Sequence, residues 1–314
     1  MSIKTALKVG ISISCLAFLY FQIEGEQILL MLQHTDIFEI LWMLMLLCAL
    51  NVLQSIRWWL IGTKLELRWP VWLAIELAFI GSFFSQILPS SVGGDAVRAW
   101  MLTRFGYPIQ KAVNSIILDR ASAILSIGLI ICAGSSVLFG IIGKNIGTIS
   151  LSLPYVFMIS FLFILLFALV FVGLKSSYIR QYRVVELIAN FIRDTKEVFL
   201  APSLVLLTTV ISLVIQLTVG YIVWCLALSY GAKFDFIEFS LLWPIVLLLT
   251  ALPISIAGWG VREGALVVAF KILENPSGSA LATSITFGIL MALASMPGGI
   301  IWVILTSKKS LKTR

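Results

Sequence analysis

Apolar positions come in blocks along this chain, at about 9–23, 37–56, 70–88, 121–143, 153–174, 203–229, 236–253, 264–272 and 280–305. A helix needs roughly 20 residues to cross ~30 Å of hydrocarbon. The blocks at 9–23, 37–56, 121–143, 153–174, 203–229 and 280–305 meet that length, allowing a slightly polar start in the first. The blocks at 70–88 and 236–253 instead stop at a cluster of Pro, Ser and Gly and are followed by a shorter apolar piece. The pattern predicts an all-α polytopic membrane protein with about six full spans and two broken helices.

Charge placement orients these elements, because short cytoplasmic connections are enriched in Lys and Arg. Lys4 and Lys8, then Arg57, Lys64 and Arg68, then Lys175, Arg180, Arg183, Arg193 and Lys196, and finally Lys308, Lys309, Lys312 and Arg314 mark four cytoplasmic segments, both termini among them. Residues 22–36 hold no Lys or Arg, and 144–152 and 230–235 hold one lysine each, so these face outward. With 57–69 and the segment carrying Arg104 and Lys111 on the same side, 70–103 must enter the membrane and return. The same reasoning makes 236–272 a hairpin entering from outside.

The two tips share a spacing. Pro89, Ser91, Gly94 and Arg98 recur as Pro253, Ser255, Gly258 and Arg262, a separation of 164 residues. A first half at about 37–143 and a second at about 203–305 thus read as an inverted repeat, joined by a linker span and a basic amphipathic cytoplasmic helix at about 153–202. All of it forms one integral membrane domain, 1–314. Unpaired backbone at membrane depth persists only where protein or a water-filled cavity surrounds it, so each tip marks a cavity. Gly93 and Gly94 permit the turn, Asp95 is placed to cap the helix that follows, and Arg98 adds a positive charge with a bidentate fork. Such a place suits an anionic headgroup, a phosphate above all. Gly258, Gly260 and Arg262 repeat the arrangement, with Glu263 as an internal counter-charge. The competing reading makes both tips structural plugs, Asp95 pairing with Arg98 and Arg262 with Glu263. Asp119 and Arg120 stand where the fourth span is expected to begin; Asp119 either balances Arg98 or Arg262 or forms a headgroup-level salt bridge.

Composition narrows the function classes. Of 314 residues 60% are hydrophobic and 12% charged, too few polar groups to cover a water-soluble domain. The net charge of +7 is therefore topological, and nucleic acid is not an expected partner. Cys15, Cys48, Cys132 and Cys225 lie in apolar runs without C-x-x-C spacing and read as small core residues; His34 is the single histidine, so no metal or cofactor is expected. Arg57, Trp58 and Trp59 read as an interfacial anchor, and Ile179, Tyr182, Leu187, Ile188, Phe191 and Phe199 as the apolar face of a helix lying on the cytoplasmic leaflet. Met296-Pro297-Gly298-Gly299 predicts either close helix packing or a hinge. Nucleotide-binding and hydrolase motifs are absent, so net movement of a substrate would need an ion or lipid gradient.

The stretches LPSSVGGDAVRAWML, IILDRASAI and PISIAGWGVREGALV, with the late Pro-Gly-Gly, resemble the lysylphosphatidylglycerol synthase transmembrane-region family of flippase-like membrane proteins from bacteria and archaea. The resemblance covers nearly the whole chain. It implies a multi-pass protein of a prokaryotic plasma membrane that translocates lipid, and it maps site residues onto Gly93, Gly94, Asp95 and Arg98, onto Asp119 and Arg120, and onto Gly258, Gly260, Arg262, Glu263 and Gly264. Long members carry a cytosolic transferase domain; here the sequence ends nine residues after the last span, so lipid translocation without lysyl transfer is expected. The alternatives are a membrane enzyme acting on a lipid phosphate, with Asp95 or Asp119 as base, or a membrane partner of a soluble lipid-modifying enzyme. Oligomeric state is open.

Overall fold

The structure, a computed structural model, describes residues 36–88, 93–134, 183–250 and 260–312. The expected spans at 9–23 and 153–174, His34, Cys15, and the tip residues Pro89, Ser91, Pro253, Ser255 and Gly258 lie outside the described residues. Nine helices and no strands are found among them: α1 (Ile37–Lys64), α2 (Val71–Ile87), α3 (Gly93–Arg104), α4 (Ile109–Ala133), α5 (Arg183–Phe199), α6 (Pro202–Ser229), α7 (Phe236–Thr250), α8 (Val261–Ile272) and α9 (Ser277–Lys312). Four of them, α1, α4, α6 and α9, are long and apolar enough to cross a membrane. The apolar helices α2 and α7, of 17 and 15 residues, are shorter.

Local chemistry sets several of these boundaries. Asp36 caps α1 by accepting from the Phe38 N–H at 3.3 Å. Pro202 opens α6 at a position where a missing N–H costs nothing. Gly260 precedes α8 with φ +84°, a conformation that favours glycine. The Lys111 ammonium donates to the carbonyl of Leu65 at 2.9 Å, tying the end of α1 to the start of α4.

Each short pair folds back on itself. Tyr107, beyond α3, donates to the carbonyl of Arg68 ahead of α2 at 3.1 Å, and Phe270 of α8 meets Phe239 of α7 edge-on at 6.4 Å. Two apolar clusters surround these helical hairpins at opposite ends of α1 and α9. One gathers Ile40, Met43 and Leu47 of α1, Val223 and Leu226 of α6, Trp243 of α7, Phe270 of α8 and Phe287 of α9. The other gathers Trp58 of α1, Leu77 and Phe83 of α2, Leu102 of α3, Ile116 of α4 and Trp302 of α9. The Pro-Gly-Gly of α9 serves packing: a Cβ on Gly298 would stand 2.0 Å from the Phe79 carbonyl oxygen of α2, and one on Gly299 would meet the Phe83 ring at 2.8 Å.

Three expectations need correction. First, α1 does not end at residue 56 but continues to Lys64, so Arg57 is 3% exposed and Trp58 fully buried instead of anchoring an interface. Second, α4 begins at Ile109 rather than 121, which puts Asp119 nearly three turns inside the helix and not at its start. Third, α5 is not turned wholly to a leaflet: Val198 packs with Ile61, Leu65 and Leu118, with Phe191 and Phe199 against them, while Leu187 is exposed and Ile179 and Tyr182 lie outside the described residues. In addition, Cys132 is exposed, unlike a core residue, whereas Cys48 and Cys225 are half-buried.

Candidate functional site

The first hairpin is closed by small residues. A Cβ on Gly94 would stand 2.0 Å from the Ser85 hydroxyl and 2.1 Å from the Gly81 carbonyl oxygen, and one on Gly81 would strike the Arg98 side chain at 2.5 Å. These glycines let α3 lie directly on α2 and seat Arg98 between the helices. Gly93, Gly94 and Asp95 all belong to the first turn of α3, so Asp95 is not the cap that the sequence suggested.

Its carboxylate is used for charge pairing instead. Arg98 Nη1 donates to Asp95 Oδ1 at 3.1 Å, while Arg120 donates from Nε to Oδ2 at 2.8 Å and from Nη2 to Oδ1 at 3.1 Å. The Asp95–Arg120 pair is thus bidentate, the geometry that a guanidinium's side edge forms with two oxygens. Arg120 is about half exposed, its side chain at 48%, and Asp95 is nearly covered.

Asp119 is engaged elsewhere. It is fully buried and accepts from Arg57 Nε at 2.8 Å, and Arg57 Nη1 donates to Ser212 Oγ of α6, also at 2.8 Å. Asp119 still lies close enough to Arg98 and Arg120 to act on both electrostatically. The second oxygen, Oδ2, accepts no hydrogen bond among the described residues.

Arg98 is 2% exposed, and its guanidinium carbon lies 3.9 Å from the centre of the Trp58 ring, a cation–π contact. Trp58 is held in turn by Ser115, whose hydroxyl accepts from the indole N–H at 3.0 Å, and by Trp69, edge-on at 4.5 Å. The Arg98 Nε and Nη2 groups, both buried, have no hydrogen-bond partner among the described residues. That is the same side edge that Arg120 closes on Asp95. Three arginines (57, 98 and 120) therefore face two aspartates (95 and 119) across this cluster, one positive charge in excess among the described residues.

The second hairpin closes on itself. Arg262 donates from Nε to Ser284 Oγ at 2.9 Å and from Nη2 to Glu263 Oε1 at 3.2 Å, and Ser284 donates to the same carboxylate oxygen at 2.8 Å. The other Glu263 oxygen accepts from the Gly260 N–H, as an acidic residue in the third helical position does. Arg262 also lies over the Phe287 ring at 5.6 Å. Among the described residues this arginine and this glutamate pair one to one. A Cβ at Gly264 would meet nothing within 4 Å, so this glycine is not required by packing.

The structure therefore brings Gly93, Gly94, Asp95, Arg98, Asp119 and Arg120 together at the first tip, and separately Gly260, Arg262 and Glu263 at the second. Arg57, Trp58, Ser212 and Ser284 belong to these groups and were not singled out as site residues from sequence. The available signal was Asp119 itself, since a carboxylate in an apolar run requires a cation, and Arg57 follows its own run with no helix breaker between.

No curated protein matches the chain. The family described as lysylphosphatidylglycerol synthase TM region matches residues 5–298, nearly the whole length of the chain, and this membrane protein with several apolar helices belongs to that family.

Proposed function

We propose that the protein moves an anionic, phosphate-bearing lipid between leaflets, holding the headgroup at the first tip. Arg98 carries this reading. Its buried guanidinium offers two N–H groups that find no partner among the described residues, although burying such a donor unpaired costs about 1–3 kcal/mol. An anion with two oxygens would satisfy both. Since the edge is closed to solvent in this conformation, entry requires the tip to open, as an alternating carrier must.

The placement of the two hairpins in clusters at opposite ends of α1 and α9 supports reading them as re-entrant elements of an inverted repeat, entering from opposite faces. On this reading the protein sits in the cytoplasmic membrane of a prokaryote with both termini inside. A cysteine introduced at 66 would then be labelled only from the cytoplasm, and one at 28 only from outside.

Reconstitution into vesicles with a headgroup-labelled phospholipid tests the activity. Leaflet exchange that proceeds without a new lipid product and falls when Arg98 is replaced by alanine is the expected result. A chemically altered lipid, or exchange unaffected by Arg98→Ala, overturns the proposal.

A further inference from the structure

We propose that the first tip opens along the seam between α3 and α4, and that the Asp95–Arg120 ion pair is the latch that holds this seam shut. The proposal rests on the headgroup reading of Arg98 and adds the route by which its buried edge is reached.

The walls around Arg98 differ in how they are joined. α3 lies on α2 with almost no room between the backbones, since a Cβ on Gly94 would stand 2.1 Å from the Gly81 carbonyl oxygen, and α2 lies as closely on α9 at Gly298. α4 is fixed to α1 and α6 by the buried Arg57–Asp119 pair, by the bond from Arg57 to Ser212, and by the Trp58 indole donating to Ser115. Prying these contacts apart would strand buried polar groups or open close-packed backbone.

The α3–α4 seam is joined otherwise. Asp95, Ala99 and Leu102 follow one another at helical spacing on one face of α3, and Asp95 on that face reaches Arg120 of α4. Toward the foot the contact is apolar, Ala99 and Leu102 sharing a buried cluster with Ala112 and Ile116 of α4. At the tip it is a charge pair whose arginine is about half exposed. Such a pair is held far more weakly than one sealed from solvent. Breaking it also strands nothing: Asp95 keeps Arg98 of its own helix at 3.1 Å, and Arg120 already faces outward. Arg120 does so near the middle of the 25-residue α4, between the exposed Ile117 and Ile124. A charge set among outward apolar side chains at mid-helix is costly and marks a pathway. The seam thus opens toward this outward stripe of α4.

Thiol labelling tests the latch without any lipid substrate. In the protein with its four native cysteines replaced by serine, Ala99→Cys reports on the seam and Ala74→Cys, fully buried on α2, reports on general loosening. Arg120→Gln should speed maleimide labelling at the Ala99→Cys position by about five- to tenfold, as loss of a partly exposed ion pair allows. Arg120→Lys, which keeps the charge but not the two-donor edge, should speed it less. Labelling at the Ala74→Cys position should stay negligible in all of them. An unchanged rate at the Ala99→Cys position, or an equal rise at both positions, overturns the latch. Should Arg120→Gln fail to fold, the same comparison with Arg120→Lys decides.

A reversible lock tests the route. Ala99→Cys joined to Ile116→Cys by a reducible bis-thiosulfonate linker should stop leaflet exchange of a headgroup-labelled phospholipid, and reduction should restore it. Exchange that continues in the linked protein but is lost in Arg98→Ala removes only this inference. Exchange indifferent to Arg98→Ala removes the headgroup reading, and the labelling rates still judge the latch by themselves.

Discussion

The two hairpins share a sequence spacing and differ in how their arginines are satisfied. Arg262 is enclosed by Glu263 and Ser284, and the pair is electrically balanced. Arg98 shares its one carboxylate with Arg120, rests on an indole face, and keeps two donors unused among the described residues. A repeated motif therefore does not make a repeated site. The position following the arginine decides: Glu263 stands next to Arg262, while Val97 and Ala99 flank Arg98. Among the described residues, the second arginine is thus paired as the plug reading expects, and the first keeps the free edge on which the proposed anion reading rests.

The largest effect that sharpens this contrast is expected from Asp119→Ala. It leaves Arg57 buried without its partner and should lower stability by about 3–5 kcal/mol in thermal or denaturant unfolding of purified protein. Glu263→Ala should cost distinctly less, because that carboxylate is partly exposed and its arginine retains Ser284. Equal losses would mean that the two tips are equally structural.

Arginine chemistry comes next. Arg98→Lys should weaken binding of an anionic phospholipid by about 1.5–3 kcal/mol, roughly ten- to a hundredfold, since an ammonium cannot reproduce the two-donor edge. Arg262→Lys should alter binding far less. A reversed order would move the headgroup site to the second hairpin.

The glycines give a smaller difference. Gly94→Ala forces the α2–α3 contact apart and should cost about 1–3 kcal/mol, whereas Gly264→Ala, with open space around it, should be close to neutral or slightly stabilising. Unfolding midpoints of the two variants measure it.

The smallest effect belongs to the exposed ion pair at the foot of the first hairpin, for which the second has no counterpart among the described residues. The hydrogen bond from Lys111, at 3.1 Å, and its charge hold the Glu66 carboxyl below the usual carboxylate range, with Arg193 and Arg68 adding to it. A depressed folded-state pKa stabilises above the unfolded value of about 4.3 and loses that contribution as pH falls through the folded value. The unfolding midpoint of Glu66→Gln should thus lie slightly below that of the unaltered protein at pH 7 and converge with it toward pH 3.

The outer limits of the two short helix pairs were legible, 70–103 and 236–272 differing from them by at most one residue, because the first limb of each is an apolar run that stops at Pro, Ser and Gly. The start of α4 was not. Gln110, Lys111 and Asn114 look like a polar loop, yet each is satisfied by a distant partner: Leu187 O and Asn190 for Gln110, Glu66 and Leu65 O for Lys111, and Asp194, at 2.7 Å, for Asn114. Polarity ends a helix only where water must supply the partners. Arg57 was misread for the related reason that an arginine beside two tryptophans looks the same at a membrane surface as in a buried ion pair. Only the register of α1 against α4 and α6, which depends on the whole packing, separates the two.

The seating of Gly298 and Gly299 on Phe79 and Phe83 has a consequence for biogenesis. The last helix supplies one wall of the first hairpin, yet the residues between Phe83 and Gly298 take roughly 10 to 40 s to synthesise at about 5–20 residues per second. Through that interval α2 and α3 are already made while the surface that covers Phe83 is still missing. The nascent hairpin must be sheltered by the insertion machinery or by lipid, and a ribosome stalled before Gly298 would hold a chain whose first hairpin lacks that wall.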